Sequence, residues 1–119
     1  MALALSRDTV GSSVIDRDDY SVYSGSTVSA GANSGILAHT VTRNFSLFSV
    51  ILAGDGDGEF TIFLNGGEIL RVRNSWSEKG QTYPFEGLKI SAADVIEVFC
   101  RNTSPNNSYY TARVNGKDR

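Results

Sequence analysis

The sequence predicts an all-β fold, an antiparallel β-sandwich of eight or nine strands in one domain. Three observations carry this. Short runs rich in β-branched and aromatic residues alternate with clusters of Gly, Asn, Asp and Ser. Several of those runs alternate apolar and polar residues with period two, as a sheet with one packed face requires. No long stretch keeps a 3.6-residue period, so no extended helix competes for the core.

Taken in order, strands are expected near 19–23, 26–31, 35–43, 45–54, 59–65, 68–74, 82–90, 94–101 and 108–115. The firmest pair joins 59–65 to 68–74. Phe60, Ile62 and Leu64 alternate there with Glu59, Thr61 and Phe63, and Asn65-Gly66-Gly67 accepts the positive φ of a tight hairpin turn. Strand 45–54 is apolar on both faces, through Phe45, Leu47, Phe48, Val50, Ile51 and Leu52. It is expected either to lie centrally under a long loop or, the preferred reading, to face another subunit in part. In 94–101, Ile96, Val98 and Cys100 share one face. In 108–115, Tyr110, Ala112 and Val114 oppose Tyr109, Thr111 and Arg113. Ser91-Ala92-Ala93-Asp94 fits one helical turn capped by Ser91, or equally a β-turn. Residues 1–18 are poor in strand signal and are expected to form an arm, with the sandwich domain over 19–119. Eight or nine strands in this length favour two packed sheets of jelly-roll-like topology.

Composition narrows the function. The 119 residues carry a formal charge of −2, with 11 Lys+Arg scattered among 13 Asp+Glu, so no basic stripe for nucleic acid is expected. One cysteine allows no internal disulfide and no multi-thiolate metal site. Met1-Ala2-Leu3-Ala4-Leu5 is too short an apolar run for a secretory signal, and Val50-Ile51-Leu52-Ala53 far too short for a membrane span, so neither export nor a membrane partner is expected.

Candidate chemistry is sparse. Asp55, Asp57 and Glu59 alternate with glycines and could bend around calcium. The twelfth position of a calcium loop counted from Asp55 is Gly66, however, and strands flank the segment, so an acidic hairpin turn is the preferred reading. His39 would need a carboxylate and a nucleophile beside it, and no Gly-x-Ser-x-Gly elbow is present. Cys100 continues an apolar face and is read as a small core hydrophobe, leaving a Cys100–His39 dyad without support. Carboxylate pairs for glycoside hydrolysis depend on spatial separation, which the sequence does not give. No catalytic residue, metal or cofactor is therefore assigned. Asn44, Asn102 and Asn106 begin glycosylation sequons that are read as accidental matches.

Trp76 sits in the polar stretch Asn74-Ser75-Trp76-Ser77-Glu78-Lys79-Gly80. It is read first as a cap over one end of the sandwich. It is also a candidate interface anchor or sugar platform, with Asn74, Glu78 and Tyr109 as polar and aromatic companions.

Three segments form a recurring pattern. They are Gly58-Glu59-Phe60 through Leu64-Asn65-Gly66, Leu88-Lys89-Ile90-Ser91-Ala92-Ala93-Asp94-Val95-Ile96-Glu97-Val98, and Tyr109-Tyr110-Thr111-Ala112-Arg113-Val114-Asn115-Gly116. This resembles the small jelly-roll or galactose-binding-like β-sandwich domains of tailed-bacteriophage virion structural proteins. There, a hairpin with an Asn/Asp-Gly turn precedes a Leu-x-Ala-Gly-Asp-x-Ile/Val-x-Val strand and a closing Tyr-x-Ala strand. The resemblance covers about residues 45–116, and Ala93 stands where a glycine is usual. It implies a non-enzymatic capsid decoration or cement protein located on the virion. Such a protein would bind the major capsid protein or other virion proteins and form a homo-oligomer, a trimer by preference. The alternative it implies is a carbohydrate- or host-receptor-binding module of a tail or fibre, with a glycan as partner.

Overall fold

The computed structural model describes residues 20–74 and 80–119. Eight strands follow one another: β1 (Tyr20–Val28), β2 (Asn33–Thr40), β3 (Phe45–Gly54), β4 (Gly58–Leu64), β5 (Gly67–Asn74), β6 (Gln81–Ile90), β7 (Val95–Asn102) and β8 (Ser108–Asp118). They form two four-stranded antiparallel sheets, ordered β1-β8-β3-β6 and β2-β7-β4-β5. Consecutive strands cross from one sheet to the other at every connection except the β4–β5 hairpin. This is a jelly roll, the sandwich the alternating apolar pattern calls for.

The inward faces meet in one core. The first sheet contributes Tyr20, Val28, Phe45, Leu47, Val50, Leu52, Ile90, Tyr110, Ala112 and Val114; the second contributes Ile36, Leu37, Phe60, Ile62, Ile96, Val98 and Cys100. The period-two readings of 94–101 and 108–115 hold residue by residue. Ile96, Val98 and Cys100 are buried while Arg101 is exposed, and Tyr110, Ala112 and Val114 are buried while Tyr109 and Arg113 are exposed. Burying each large apolar side chain contributes about 1.5–3 kcal/mol, which makes this cluster the main source of stability.

The hairpin turn forms where Asn65-Gly66 places it. Asn65 has φ 51° and Gly66 φ 83°, both in the left-handed region, and Leu64 pairs with Gly67 across a two-residue loop. Two expectations change and one open alternative is decided. The runs 19–23 and 26–31 form one strand, because Ser24-Gly25 does not turn. The Tyr109 ring lies over Gly25, whose added Cβ would come within 2.7 Å of the Tyr109 hydroxyl, so glycine is needed for close packing and not for a bend. Of the two readings of 91–94, the β-turn is the one found: Asp94 N–H bonds the Ser91 carbonyl at 3.0 Å, and Ala93 adopts φ 77°. The last strand does not stop near 115 but pairs through Gly116 to Asp118.

The two-faced look of 45–54 has a geometric cause. Phe48 is the extra residue of a bulge against β8, and opposite it β6 carries its own insertion, Phe85 to Gly87. The inward set therefore changes phase, from Phe45 and Leu47 before the bulge to Val50 and Leu52 after it. β3 lies inside its sheet between β8 and β6, with Phe48 exposed and Ile51 half-buried on the outer face.

Candidate functional site

His39 does not meet a nucleophile. Its Nε2 lies 2.6 Å from the Tyr20 hydroxyl, which also accepts the Thr42 backbone N–H at 3.2 Å. Tyr20 itself is buried and stacks on Phe45, centroids 4.1 Å apart and planes within 4°. Cys100 pairs with Ser34 and His39 with Ile96, so the two lie four residues apart along β7, about 13 Å at the strand rise. Cys100 is fully buried against the core, and burial pushes its thiol up to about 12, far from the thiolate that reactivity needs. The two residues are not brought together.

The acidic turn also disperses. The Asp57 carbonyl accepts from the Tyr110 hydroxyl at 2.7 Å and the Thr103 N–H at 3.1 Å, while Glu59 faces Arg71 on the outside of β4. Among the described residues no three His, Cys, Asp or Glu side chains gather to hold a metal ion, so Asp55, Asp57 and Glu59 do not converge. Trp76 and Glu78 lie outside the described residues. Asn74 ends β5 and Tyr109 is half exposed on β8, so these two companions belong to different sheets. Of the sequons, Asn102 is fully buried. Its amide is committed to Val28, Asn106 and Ser104, which removes it as a glycan acceptor.

A hollow of about 310 Å³, large enough for a small ligand, lies on the outer face of the β2-β7-β4-β5 sheet. Sheet order assembles it from four strands. One cross-strand row reads Asn33–Arg101–Glu59–Arg73, and the next reads Gly35–Phe99–Thr61–Arg71. Phe99 lies against Gly35, where an added Cβ would stand 3.7 Å from its ring, and meets Phe63 edge to face at 5.7 Å. Arg71 is held by Glu68 through Nε to Oε2 at 3.3 Å and NH2 to Oε1 at 2.8 Å, and its NH1 lies 4.0 Å from Glu59 Oε2. The Arg71 hydrogen bond holds the Glu68 carboxyl below its usual range. Arg101 makes no ion pair or hydrogen bond through its side chain among the described residues, and neither does Thr61, which is only 8% exposed. Sequence reading missed this site, because its residues alternate singly along four strands and become neighbours only through the sheet order.

No family model matches the chain, and neither does any curated protein. Among solved structures it is similar to a de novo designed double-stranded β-helix, 21% identical over 78% of this chain and 97% of that one, with a TM-score of 0.44. It is also similar to part of the insecticidal delta-endotoxin Cry8Ea1 of Bacillus thuringiensis, 12% identical over 77% of this chain, with a TM-score of 0.49. A third likeness is to dimeric latent PorU of Porphyromonas gingivalis, 12% identical over 81% of this chain, with a TM-score of 0.30. The chain spans 19% of the toxin's length and 10% of PorU's. At these levels the reading of the site rests on its own geometry.

Proposed function

We propose that this jelly roll is a non-catalytic virion structural module, of the capsid decoration or cement type, that self-associates at its working site. The observation that carries the reading is the edge of β1, which pairs only with β8 among the described residues. Its nine residues, Tyr20-Ser21-Val22-Tyr23-Ser24-Gly25-Ser26-Thr27-Val28, hold no charge and no proline, and they pair with β8 without a bulge. The other sheet edges are guarded. β6 carries Pro84, Glu86, Lys89 and a register break, β5 carries Glu68, Arg71, Arg73 and a register break, and β2 is bulged between Gly35 and Leu37. A flat, uncharged edge offers unpaired N–H and C=O groups to another chain. Two copies of this edge pairing with each other would close a dimer, so the trimer that the phage resemblance favours has the edge meet a different surface of the neighbouring copy. Multivalent attachment then holds a shell that single weak contacts would not.

The experiment is made on particles. Virions carrying this protein are expected to resist heat and low salt better than virions purified without it, with its density seen as contacting copies in an image reconstruction. Equal resistance, or isolated copies with no neighbour contact, overturns the reading.

A further inference from the structure

We propose that the hollow on the outer face of the β2-β7-β4-β5 sheet is a binding site for a carboxylated sugar. The inference is independent of assembly through β1, which lies in the other sheet.

A buried residue without a side-chain hydrogen bond and an exposed cation without an ion pair point to a ligand. Buried hydroxyls are normally hydrogen-bonded, yet Thr61, a residue 8% exposed that lines the hollow, makes no side-chain hydrogen bond among the described residues. The Arg101 guanidinium lines the same hollow directly across from Glu59 and is likewise without a partner there. An unpaired fork of N–H donors is matched by a carboxylate, which it binds bidentately. Charge selects the valence of the ligand. Of the residues that line the hollow, Arg71 and Arg101 are positive and Glu59 is negative, a balance of one positive charge that suits a monoanion better than a dianion such as a phosphate monoester.

The remaining walls select a sugar. The Phe99 ring, packed against Gly35 and perpendicular to Phe63, supplies an apolar wall for the C–H face of a pyranose. Asn33, Thr61 and Glu59 supply an amide, a hydroxyl and a carboxylate for ring hydroxyls. A volume of about 310 Å³ is at the small end of ligand pockets, with room for about one or two sugar rings.

The test is an NMR titration of the full chain with oligosaccharides ending in glucuronic acid or N-acetylneuraminic acid, their methyl esters, and neutral lactose. The acids are expected to bind about tenfold or more tightly than the esters, the worth of one charge-assisted pair, with shifts at Thr61, Phe99 and Arg101. Arg101→Ala should erase that preference, and Arg101→Lys should keep part of it. Thr61→Val, which keeps shape and drops the hydroxyl, should weaken binding about threefold to tenfold with strand resonances otherwise unmoved. Acid and ester binding alike, shifts confined to another face, full binding by Arg101→Ala, or no binding at about 10 mM each overturns the proposal.

Discussion

Replacing Asn102 by Ala should cost this fold more than any change at the acidic turn. Asn102 ends β7, is fully buried, and ties three segments together. Its Nδ2 donates to the Val28 and Asn106 carbonyls, both at 2.8 Å. Its Oδ1 accepts from the Ser104 N–H at 2.8 Å and the Ser104 hydroxyl at 2.7 Å. The Asn106 carbonyl keeps the Ser104 and Ser108 hydroxyls after truncation, and the Ser104 hydroxyl keeps Asn106. The groups that lose most are the Val28 carbonyl and the Ser104 N–H. Two such groups at about 1–3 kcal/mol each give a loss of about 2–6 kcal/mol. For a chain of this length that lowers the Tm by about 10–20 °C. Calorimetry and urea titration of the variant measure it. Asn102→Asp keeps the acceptor but loses both donations and buries a charge, so it should lose at least as much at neutral pH. A loss below about 1 kcal/mol for Asn102→Ala would refute the view that this side chain locks the end of the sandwich.

Other outcomes follow from single positions. Ala93 adopts φ 77°, where a Cβ is strained, so Ala93→Gly should stabilise by about 0.5–1 kcal/mol in urea titration despite the added freedom of the unfolded chain; a loss of stability contradicts the strain. Asp94 is held below the usual carboxylate range, first by the Ser91 N–H at 2.8 Å and then by Asn65 Nδ2 at 3.0 Å. Its contribution is therefore present above the unfolded aspartate pKa and lost as pH falls through the lowered folded value. Urea midpoints followed from pH 7 to 2 should fall less steeply in Asp94→Asn than in the wild type. Cys100, buried and with its thiol pushed up to about 12, should resist iodoacetamide at pH 8 until the chain unfolds; rapid native labelling would contradict that burial.

The fold was readable where one residue decides one local event. Asn65-Gly66 needs no tertiary help to turn, and the alternation at Ile96, Val98, Cys100 and at Tyr110, Ala112, Val114 survives because the extra residues of the neighbouring bulges, Ile36 in β2 and Phe48 in β3, are not in those strands. Reading failed where tertiary contact overrides local signal. Gly25 looks like a break in sequence but serves the Tyr109 ring from the next strand. The phase change at Phe48 made an interior strand look two-faced. The hollow was invisible for a deeper reason. Asn33, Thr61, Arg71 and Arg101 are up to 68 positions apart, and only the order β2-β7-β4-β5 makes their rows continuous.

The measurement that tests the central claim most directly is the solution mass of the full chain beside a Tyr23→Lys/Thr27→Lys variant. Both positions face outward on β1, and lysines there blunt strand pairing. Light scattering and native mass spectrometry should give a closed oligomer of the wild type, three times 12.8 kDa for a trimer, and a folded monomer of the variant. A wild type that stays monomeric at about 100 μM, or an oligomer that the two lysines leave intact, would contradict assembly through the β1 edge.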